Sequence, residues 1–523
     1  MGRYEAAIKC YRSVMKSCPE ILETYFNLAS TLEKVGRTNE AIDLYRQTGT
    51  NYGLANAYYL MAKSCDWSLY DNDRECMALL LNRARRQTDA YIQPKHAQIL
   101  HDVSPIQNLQ ISQTFSNWTK TRVNTFSKII DFPQHPYNQG KIRVGYVSKA
   151  RENHLVDSMI QSLHKFHDKD TFDLFFYSTK KIVHIKTSSF LNPRKAHWHD
   201  ISALSLTEVA SRIYRDKIHI LVYLDGYITD ELHEVFALHP TRLQINMIGQ
   251  CCPMGGLFDY IIGDKEVIGN NECFTERIIF QEGSFILADY KQSSLYDIDE
   301  DVDPLLLRSQ CQISDDAFVY ACLDQPSKID PILFSVWMEI LRHTDRSVLV
   351  LVRYNDKMVY HLKEKAKDLR IDPDRIIFLD VVTIEEHLRR LRIVDLVLDT
   401  MISNGLVSSC DALWAGVPMI TIVGDHMYNK IGTSLLKCVG LDDLVTKSME
   451  EYQKLAILLN QDEKKYIEVI RKLEKKRATS DLFNALEWVK GFENSLRKAV
   501  ELDSLGQLPQ HILPTPKMAL QGV

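Results

Sequence analysis

The chain has 523 residues, enough for two to four domains, and its 45% hydrophobic and 25% charged content is ordinary for a globular protein. A formal net charge of −5 gives no case for a nucleic-acid partner, and the absence of a run of about 18 apolar residues gives none for a membrane span. The 11 cysteines are scattered and never spaced as Cys-x-x-Cys, and the N-terminus lacks the apolar core of a signal peptide. We therefore expect reduced thiols, no metal site and a cytoplasmic or nuclear protein.

Residues 1–66 carry an internal repeat. Gly2 and Tyr11 recur 34 positions later as Gly36 and Tyr45. Glycine and tyrosine at fixed offsets on paired helices are typical of tetratricopeptide repeats. A solenoid of this kind needs several repeats and a cap for stability, so we expect either a truncated array or one that is naturally short. Residues 67–140 then predict a helical linker without a clear repeat.

From residue 141 the pattern changes to strands that alternate with helices, which predicts parallel, doubly wound sheets. We place one Rossmann-like lobe at 141–295 and a second at 305–448, joined by the acidic stretch 296–304. Charged helices at 449–501 and a disordered tail at 502–523 complete the predicted order. The predicted strands are 141–148, 172–177, 218–224, 243–249, 260–264 and 277–280 in the first lobe, and 317–322, 347–352, 375–379, 394–400 and 419–423 in the second.

The strand at 394–400 leads into the most informative stretch of the chain. An Asn-Gly turn at Asn404 and Gly405 follows, then a helix that ends near Gly416. Ligands of parallel sheets bind at the carboxyl ends of strands, and the start of a helix together with the Ser408 hydroxyl suits a phosphate. Taken alone, the stretch is better explained as an ordinary strand–turn–helix unit.

A resemblance to a known family makes a ligand site the better explanation of this stretch. Asp399-Thr400, Asn404-Gly405 and the run from Asp411 to Pro418 resemble the nucleotide-sugar site of the protein O-GlcNAc transferase family, glycosyltransferase family 41. The resemblance covers nearly the whole chain. It implies an α/β two-lobed GT-B fold, with two Rossmann-like domains, preceded by an all-α tetratricopeptide-repeat segment.

Two further motifs carry the implied donor site. Gln325 and Lys328 stand in a match to the family's Gln-x-x-Lys-Ile-Asp-Pro, whose lysine contacts the diphosphate. A lysine at a strand's carboxyl end suits a leaving phosphate, although a surface lysine before a capped helix is the alternative. His387 and Arg390 match the family's Glu-Glu-His-x-Arg-Arg, where they would lie on and beside uracil. The alternative there is a charged helix face, and Ile384 replaces the family's ribose-binding lysine.

The family's Asn-Gly-His-Thr-Thr-Gly-x-Asp loop has a partly changed counterpart. Leu406 and Val407 replace a histidine and a threonine. The polar or small residues that survive are the ones we expect to bind the donor, together with Gly249 at the start of the sugar-pocket loop. These residues are Asn404, Gly405, Ser408, Asp411 and Gly249.

The acceptor side departs further from the family. Ala150 replaces an aspartate proposed to take part in proton removal, which leaves His154 to orient the sugar or acceptor. Lys95 replaces the first histidine of a Pro-His-His motif, which leaves His96 for acceptor binding. Asn27 matches the family's asparagine ladder, which holds the acceptor peptide; an exposed helix asparagine explains it equally well.

The resemblance implies an inverting, metal-independent transferase that moves GlcNAc from UDP-GlcNAc to Ser or Thr hydroxyls of intracellular proteins. The repeats would hold the protein substrates, Lys328 and His154 would act in catalysis, and no cofactor beyond the donor is needed. Two alternatives stay open: a catalytically impaired GT-B pseudoenzyme that acts as a protein-binding scaffold, and a transferase for another nucleotide sugar. Whether the chain forms a homo-oligomer also stays open.

Overall fold

The computed structural model describes residues 2–72, 74–76, 78, 93–99, 103–127, 132–135, 137, 140–148, 154–179, 196–228, 232–291 and 303–515. Within these ranges the chain forms a helical N-terminal segment and two parallel sheets flanked by helices. This is the predicted GT-B architecture.

The N-terminal segment is a row of paired helices, α1 (Gly2–Ser17), α2 (Leu22–Lys34), α3 (Thr38–Gln47) and α4 (Asn51–Ala62). Each packs on the next through buried small and apolar side chains such as Ala29, Leu32 and Ala41. The alanines allow the helix axes to approach closely, which repeat packing requires. Two helices of the connecting region follow, α5 (Pro94–Ala97) and α6 (Pro105–Ser127).

The first sheet has seven parallel strands in the order β3-β2-β1-β4-β5-β6-β7. Its three central to late strands β4, β5 and β6, whose bounds follow, are fully buried, as expected when helices cover both faces. The strands are β1 (Ile142–Ser148), β2 (Phe172–Ser178), β3 (His197–Asp200), β4 (Ile220–Tyr223), β5 (Leu243–Asn246), β6 (Tyr260–Gly263) and β7 (Arg277–Phe280). Its helices are α7 (His154–Phe166), α8 (Leu206–Arg215), α9 (His233–Ala237) and α10 (Lys265–Ile268).

The second sheet has six parallel strands in the order β10-β9-β8-β11-β12-β13. The strands are β8 (Phe318–Cys322), β9 (Ser347–Arg353), β10 (Ile376–Asp380), β11 (Leu396–Leu398), β12 (Met419–Ile422) and β13 (Val445–Thr446). Its helices are α11 (Pro304–Gln310), α12 (Pro331–Arg342), α13 (Asp356–Asp368), α14 (Ile384–Leu391), α15 (Val407–Trp414) and α16 (Ile431–Cys438). Three helices close the chain, α17 (Met449–Gln461), α18 (Glu463–Arg477) and α19 (Ala485–Ser504).

The last helix returns to the first lobe. The Glu493 carboxylate on α19 accepts hydrogen bonds from the His167 ring, at 2.9 Å, and from the backbone N–H of Asp168, at 2.6 Å. The other ring nitrogen of His167 lies 2.6 Å from the Tyr146 hydroxyl on β1. This buried network fastens the C-terminal helix to the first sheet.

The prediction of a disordered tail is wrong for residues 502–515. Helix α19 runs to Ser504, and Ile512 pairs with Ile279 of β7 in a parallel bridge. The Ile512 side chain is buried, and the His511 ring accepts a hydrogen bond from the backbone N–H of Ile278. One apolar side chain and two ladder bonds hold this proline-containing segment in place. Residues 516–523 lie outside the described ranges, as does most of the acidic stretch at 296–304.

Candidate functional site

The site begins where the strand order of the second sheet reverses. From the adjacent strands β8 and β11 the chain continues to opposite sides of the sheet, and such a reversal opens a crevice at the strands' carboxyl ends. A cleft of about 530 Å³ occupies this position. Its wall includes the loop that follows β8, the loop that follows β11 and, from the N-terminal side, Gln98 and Cys251. The cleft therefore lies between the two lobes.

Lys328 bridges the two loops at the reversal. Its ammonium group donates to Asp324 Oδ1 at 2.9 Å and to the backbone carbonyl of Asn404 at 2.7 Å. The Lys328 side chain is 21% exposed. Helix α12 begins three residues later, with the Asp330 carboxylate accepting from the first-turn amides and Pro331 at the first helical position. This capped start fixes the turn that directs Lys328 towards the cleft.

Asp399 organises the loop after β11 from beneath. Its Oδ1 accepts from the backbone N–H groups of Thr400, at 2.9 Å, and Gly405, at 2.8 Å, and its Oδ2 accepts from the Thr421 hydroxyl at 2.6 Å. Burial, and then the nearby Asp324 carboxylate, raise the pKa of Asp399 to about 7. The Gly405 N–H is thus committed to Asp399 rather than directed at a ligand.

Asn404 also serves the loop itself. Its side-chain amide donates to the carbonyl of Thr400 at 2.7 Å and accepts from the backbone N–H of Gly432 at 3.2 Å. The residue is buried, so the part of it that faces the site is the carbonyl bound by Lys328.

Helix α15 starts at the floor of the cleft. Leu406 precedes it and supplies no side-chain cap, so the helix start is open in the way that suits an anion. A Cβ on Gly405 would lie 2.5 Å from Ser409 Oγ, 2.6 Å from Ser408 Oγ and 2.7 Å from Asp324 Oδ2. Two hydroxyls and a carboxylate surround this position, and an added Cβ would displace them.

Helix α14 forms the opposite wall. His387 Nε2 lies 3.3 Å from Asp411 Oδ2, and the other oxygen of Asp411 accepts from the Tyr290 hydroxyl at 2.6 Å. Arg390 donates to the Glu386 carboxylate at 3.0 Å and to the Asp380 carbonyl at 3.0 Å. Asp411 therefore orients His387 and ties the end of the first lobe to α15.

The first lobe meets the cleft through a tight contact between two loops. Gly249 follows β5 and packs against Gly226, which follows β4; a Cβ on Gly249 would lie 2.1 Å from Gly226 Cα. Cys251 comes two residues later and lines the cleft with a backbone φ of 47°. Burial raises the pKa of the Cys251 thiol to about 12.

The structure brings most of the predicted donor residues together, since seven of them line this one cleft: Gln325, Lys328, His387, Arg390, Asn404, Ser408 and Asp411. Gly405 lies directly beneath it. Gly249 instead makes the backbone contact with Gly226, so its role there is packing.

The predicted acceptor residues lie elsewhere. His96 is fully buried, with its ring edge-on to Tyr59, so the structure does not place it on an acceptor surface. Asn27 is exposed on α2 in the repeat segment. His154 begins α7, but its side chain, like that of Lys95, lies outside the described ranges, as does the whole of Ala150.

Sequence reasoning did not assign a role to Asp324, nor to Asp399 as the support of the loop. Asp324 stands four residues before Lys328, a spacing that allows an ion pair within one turn. Asp399 directly follows the buried strand β11, where a carboxylate needs donors from its neighbours. Which donors they are depends on the loop's path, which the sequence does not give.

Comparison with known proteins adds an independent line of evidence. The model of the family described as Glycosyl transferase family 41 matches residues 64–302 and 298–492. A probable UDP-N-acetylglucosamine–peptide N-acetylglucosaminyltransferase from Arabidopsis thaliana is 30% identical over 434 residues, which is 80% of this chain and 44% of the relative. A UDP-N-acetylglucosamine–peptide N-acetylglucosaminyltransferase from Caenorhabditis elegans is 24% identical over 562 residues, 86% of this chain and 49% of the relative. The chain thus spans about half the length of these relatives.

Among solved structures, an O-GlcNAc transferase from Thermobaculum terrenum superposes with a TM-score of 0.76 at 20% identity, covering 97% of this chain and 95% of that chain. At this identity the match bears on the fold alone. No helix in the described part of the chain has the length and apolar character needed to cross a membrane.

Proposed function

The chain belongs to glycosyltransferase family 41, and from that premise we propose that it transfers GlcNAc from UDP-GlcNAc to Ser or Thr hydroxyls of proteins. The convergence of Lys328, the open start of α15 and His387 on one cleft carries the proposal. These groups come from three separate segments of the second lobe and meet at the reversal of strand order. A nucleoside diphosphate needs this combination of cation, anion-binding amides and flat side chain.

The leaving diphosphate would be stabilised by Lys328 and by the first-turn amides of α15, helped by the Ser408 hydroxyl. Departure of UDP from the sugar concentrates negative charge on the diphosphate, and preorganised donors in a cleft stabilise that charge. Lys328 is held within reach by its bond to the Asn404 carbonyl, so little reorganisation is needed. Its bond to Asp324 must be exchanged for one to phosphate.

The uracil base of the donor would lie against α14. The His387 ring offers a flat face to uracil, and Asp411 fixes its orientation from behind. Arg390 would lie beside the base, held by Glu386 and the end of β10. Ile384 lines the same wall and gives the ribose an apolar neighbour.

The acceptor would reach the cleft from the first lobe and the repeat segment. We propose that exposed side chains on the inner helices of the repeat, among them Asn27, hold the peptide backbone, and that His154 orients the sugar or the acceptor hydroxyl. The protein substrates and the nucleotide sugar are then the two partners of the chain.

Turnover tests the proposal. The purified chain is incubated with UDP-GlcNAc and a Ser/Thr-containing peptide, and the mass increase of the peptide is followed by mass spectrometry. We expect transfer that is lost in Lys328→Ala and kept in Lys357→Ala, a lysine that bonds to Asn39 of the repeat segment outside the cleft. Wild-type protein that binds UDP-GlcNAc but never modifies peptides would contradict a transferase role.

A second function has its own support. Lys328 is already paired with Asp324, and Ile384, Leu406 and Val407 make the cleft wall more apolar than a phosphate and ribose site requires. These features favour a GT-B scaffold that binds proteins through its repeats without turnover. A panel of other UDP-sugars in the same assay separates this scaffold from a transferase with a different donor.

A further inference from the structure

Asp324 occupies the place where the donor's diphosphate is expected. Its Oδ1 accepts from Lys328, and its Oδ2 lies 2.7 Å from the point where a Gly405 Cβ would sit. The hydroxyls of Ser408 and Ser409, on the first turn of α15, lie 2.6 Å and 2.5 Å from the same point. The carboxylate therefore lies beside Gly405, just before the start of α15, with its side chain only 12% exposed.

In this position the Asp324 carboxylate takes the place that the phosphate of a ligand would occupy. Helix starts favour negative charge, and a lysine ammonium group is the natural partner of a phosphate oxygen. Asp324 is paired with the ammonium group of Lys328, and its second oxygen lies next to Gly405, just before the start of α15. A diphosphate that enters the cleft must compete with it for the same positive groups.

The charges around the cleft make this competition costly for the ligand. Among the described residues that line the cleft, the lysine and arginine side chains are those of Lys328 and Arg390, and each is already paired, with Asp324 and Glu386 respectively. Asp399 lies just beneath as a second carboxyl group, and Asp324 contributes to its raised pKa. An incoming diphosphate therefore adds negative charge to a place where the existing charges are already matched.

We propose that Asp324 is a specificity-determining residue of the donor site: it competes with the donor's diphosphate for Lys328 and the start of α15, and so weakens binding of nucleoside diphosphates without affecting the nucleoside part. The proposal rests on the proposed function, since it takes the cleft as a nucleotide site. Asp324 would weaken diphosphate binding at the phosphate subsite and would not affect binding of the uracil base at His387.

Calorimetric titration with UDP and with uridine tests the assignment. Two variants each remove one carboxylate from the cleft wall: Asp324→Asn, and the matched control Asp380→Asn, whose side chain is 72% exposed and lies 3.5 Å from Arg353. Asparagine at 324 keeps the shape and an acceptor for Lys328. Like charges a few ångströms apart in a partly solvated cleft repel by about 1.4 kcal/mol or more, which is tenfold in affinity. We expect Asp324→Asn to bind UDP at least about tenfold more tightly than wild type, with uridine unchanged and Asp380→Asn close to wild type.

Two further variants exclude a merely structural effect. Asp324→Glu keeps the charge and should bind UDP as weakly as wild type. In a Lys328→Met background, where we expect UDP binding to be lost, Asp324→Asn should not restore it, because the ammonium group for which Asp324 competes is gone. UDP binding that Asp324→Asn restores in that background would overturn the mechanism.

The outcomes separate this inference from the proposed function. UDP that binds wild type and Asp324→Asn equally overturns the role of Asp324 and leaves a nucleotide site standing. Uridine that binds every variant while UDP binds none overturns the role of Asp324 and the use of a UDP donor together. Failure of both ligands to bind any folded variant, with folding checked by circular dichroism, overturns the proposed function and the inference with it.

Discussion

Replacement of Asp399 by asparagine should change how the stability of the chain depends on pH. Asparagine keeps the oxygen that accepts from Thr400 and Gly405, and its amide faces the Thr421 hydroxyl, whose oxygen accepts. The variant therefore imitates the protonated carboxyl group. It removes the one buried charge on which the loop after β11 is built.

The magnitude follows from the pKa of Asp399. Burial raises this pKa from 3.8 to about 7, so between these values the folded chain binds a proton that the unfolded chain releases. The free energy of unfolding therefore falls as the pH rises through this window and levels off above the folded-state pKa. A change of one in pKa corresponds to about 1.36 kcal/mol. Between about pH 5 and about pH 7, Asp399→Asn should gain roughly 2 kcal/mol relative to wild type.

Urea unfolding followed by tryptophan fluorescence at several pH values measures this difference, since Trp337 and Trp414 both lie in the second lobe. Asp380→Asn is the matched control, because it removes an exposed carboxylate and leaves the buried Asp399 in place. A difference between wild type and Asp399→Asn that stays constant from about pH 5 to about pH 8 would refute the reasoning.

Three other variants test separate parts of the structure. Gly249→Ala should lower the free energy of unfolding, measured by thermal denaturation, by roughly 1–3 kcal/mol, because its Cβ would lie 2.1 Å from backbone atoms. Its control is Gly140→Ala, whose Cβ meets nothing within 4 Å and which should stay within about 0.5 kcal/mol of wild type. Glu493→Ala should lower the free energy of unfolding by about 3 kcal/mol and speed hydrogen exchange in α19, because it leaves the buried His167 ring without its carboxylate partner. Glu493→Gln, which keeps an acceptor, should recover part of this loss. Ile384→Lys should strengthen uridine binding about tenfold in calorimetry by offering the ribose a charged donor, and Ile384→Leu should not.

Each of these expectations has a result that would contradict it. Equal melting temperatures for the two glycine variants would mean that the loops at Gly249 and Gly226 do not touch. Unchanged exchange in α19 of Glu493→Ala would mean that the helix is held by other contacts. Weaker uridine binding in Ile384→Lys would mean that the ribose does not lie on that wall.

The strands could be predicted from sequence wherever they are buried on both faces. Runs such as Ile220–Tyr223 and Met419–Ile422 are continuous, mostly apolar and fully buried, and parallel neighbours with helices on both sides satisfy such runs. Strand β3 was missed because His-Trp-His-Asp at a sheet edge has no such signature, and β13 because it has only two residues. The tail was missed because one buried isoleucine does not stand out in a proline-rich segment.

The site was predictable in part for a similar reason. Lys328 and His387 stand in short motifs at strand ends, where topology alone directs side chains towards the crevice. The roles of Asp399 and Asn404 depend on where the loop after β11 folds back. The sequence could therefore not show that their side chains form hydrogen bonds with backbone groups of this loop. The same limit applies to His96, whose burial depends on how the connecting helices pack against the repeat.

Calorimetric titration of the wild-type chain with UDP and UDP-GlcNAc, beside Lys328→Ala, is the most direct test of a donor site at the reversal of strand order. We expect saturable binding of both ligands to wild type and loss of that binding in Lys328→Ala, with the circular dichroism of the two proteins the same. Binding that is equal in both proteins, or absent from folded wild type, would contradict it and would leave a repeat-bearing scaffold without a working nucleotide site.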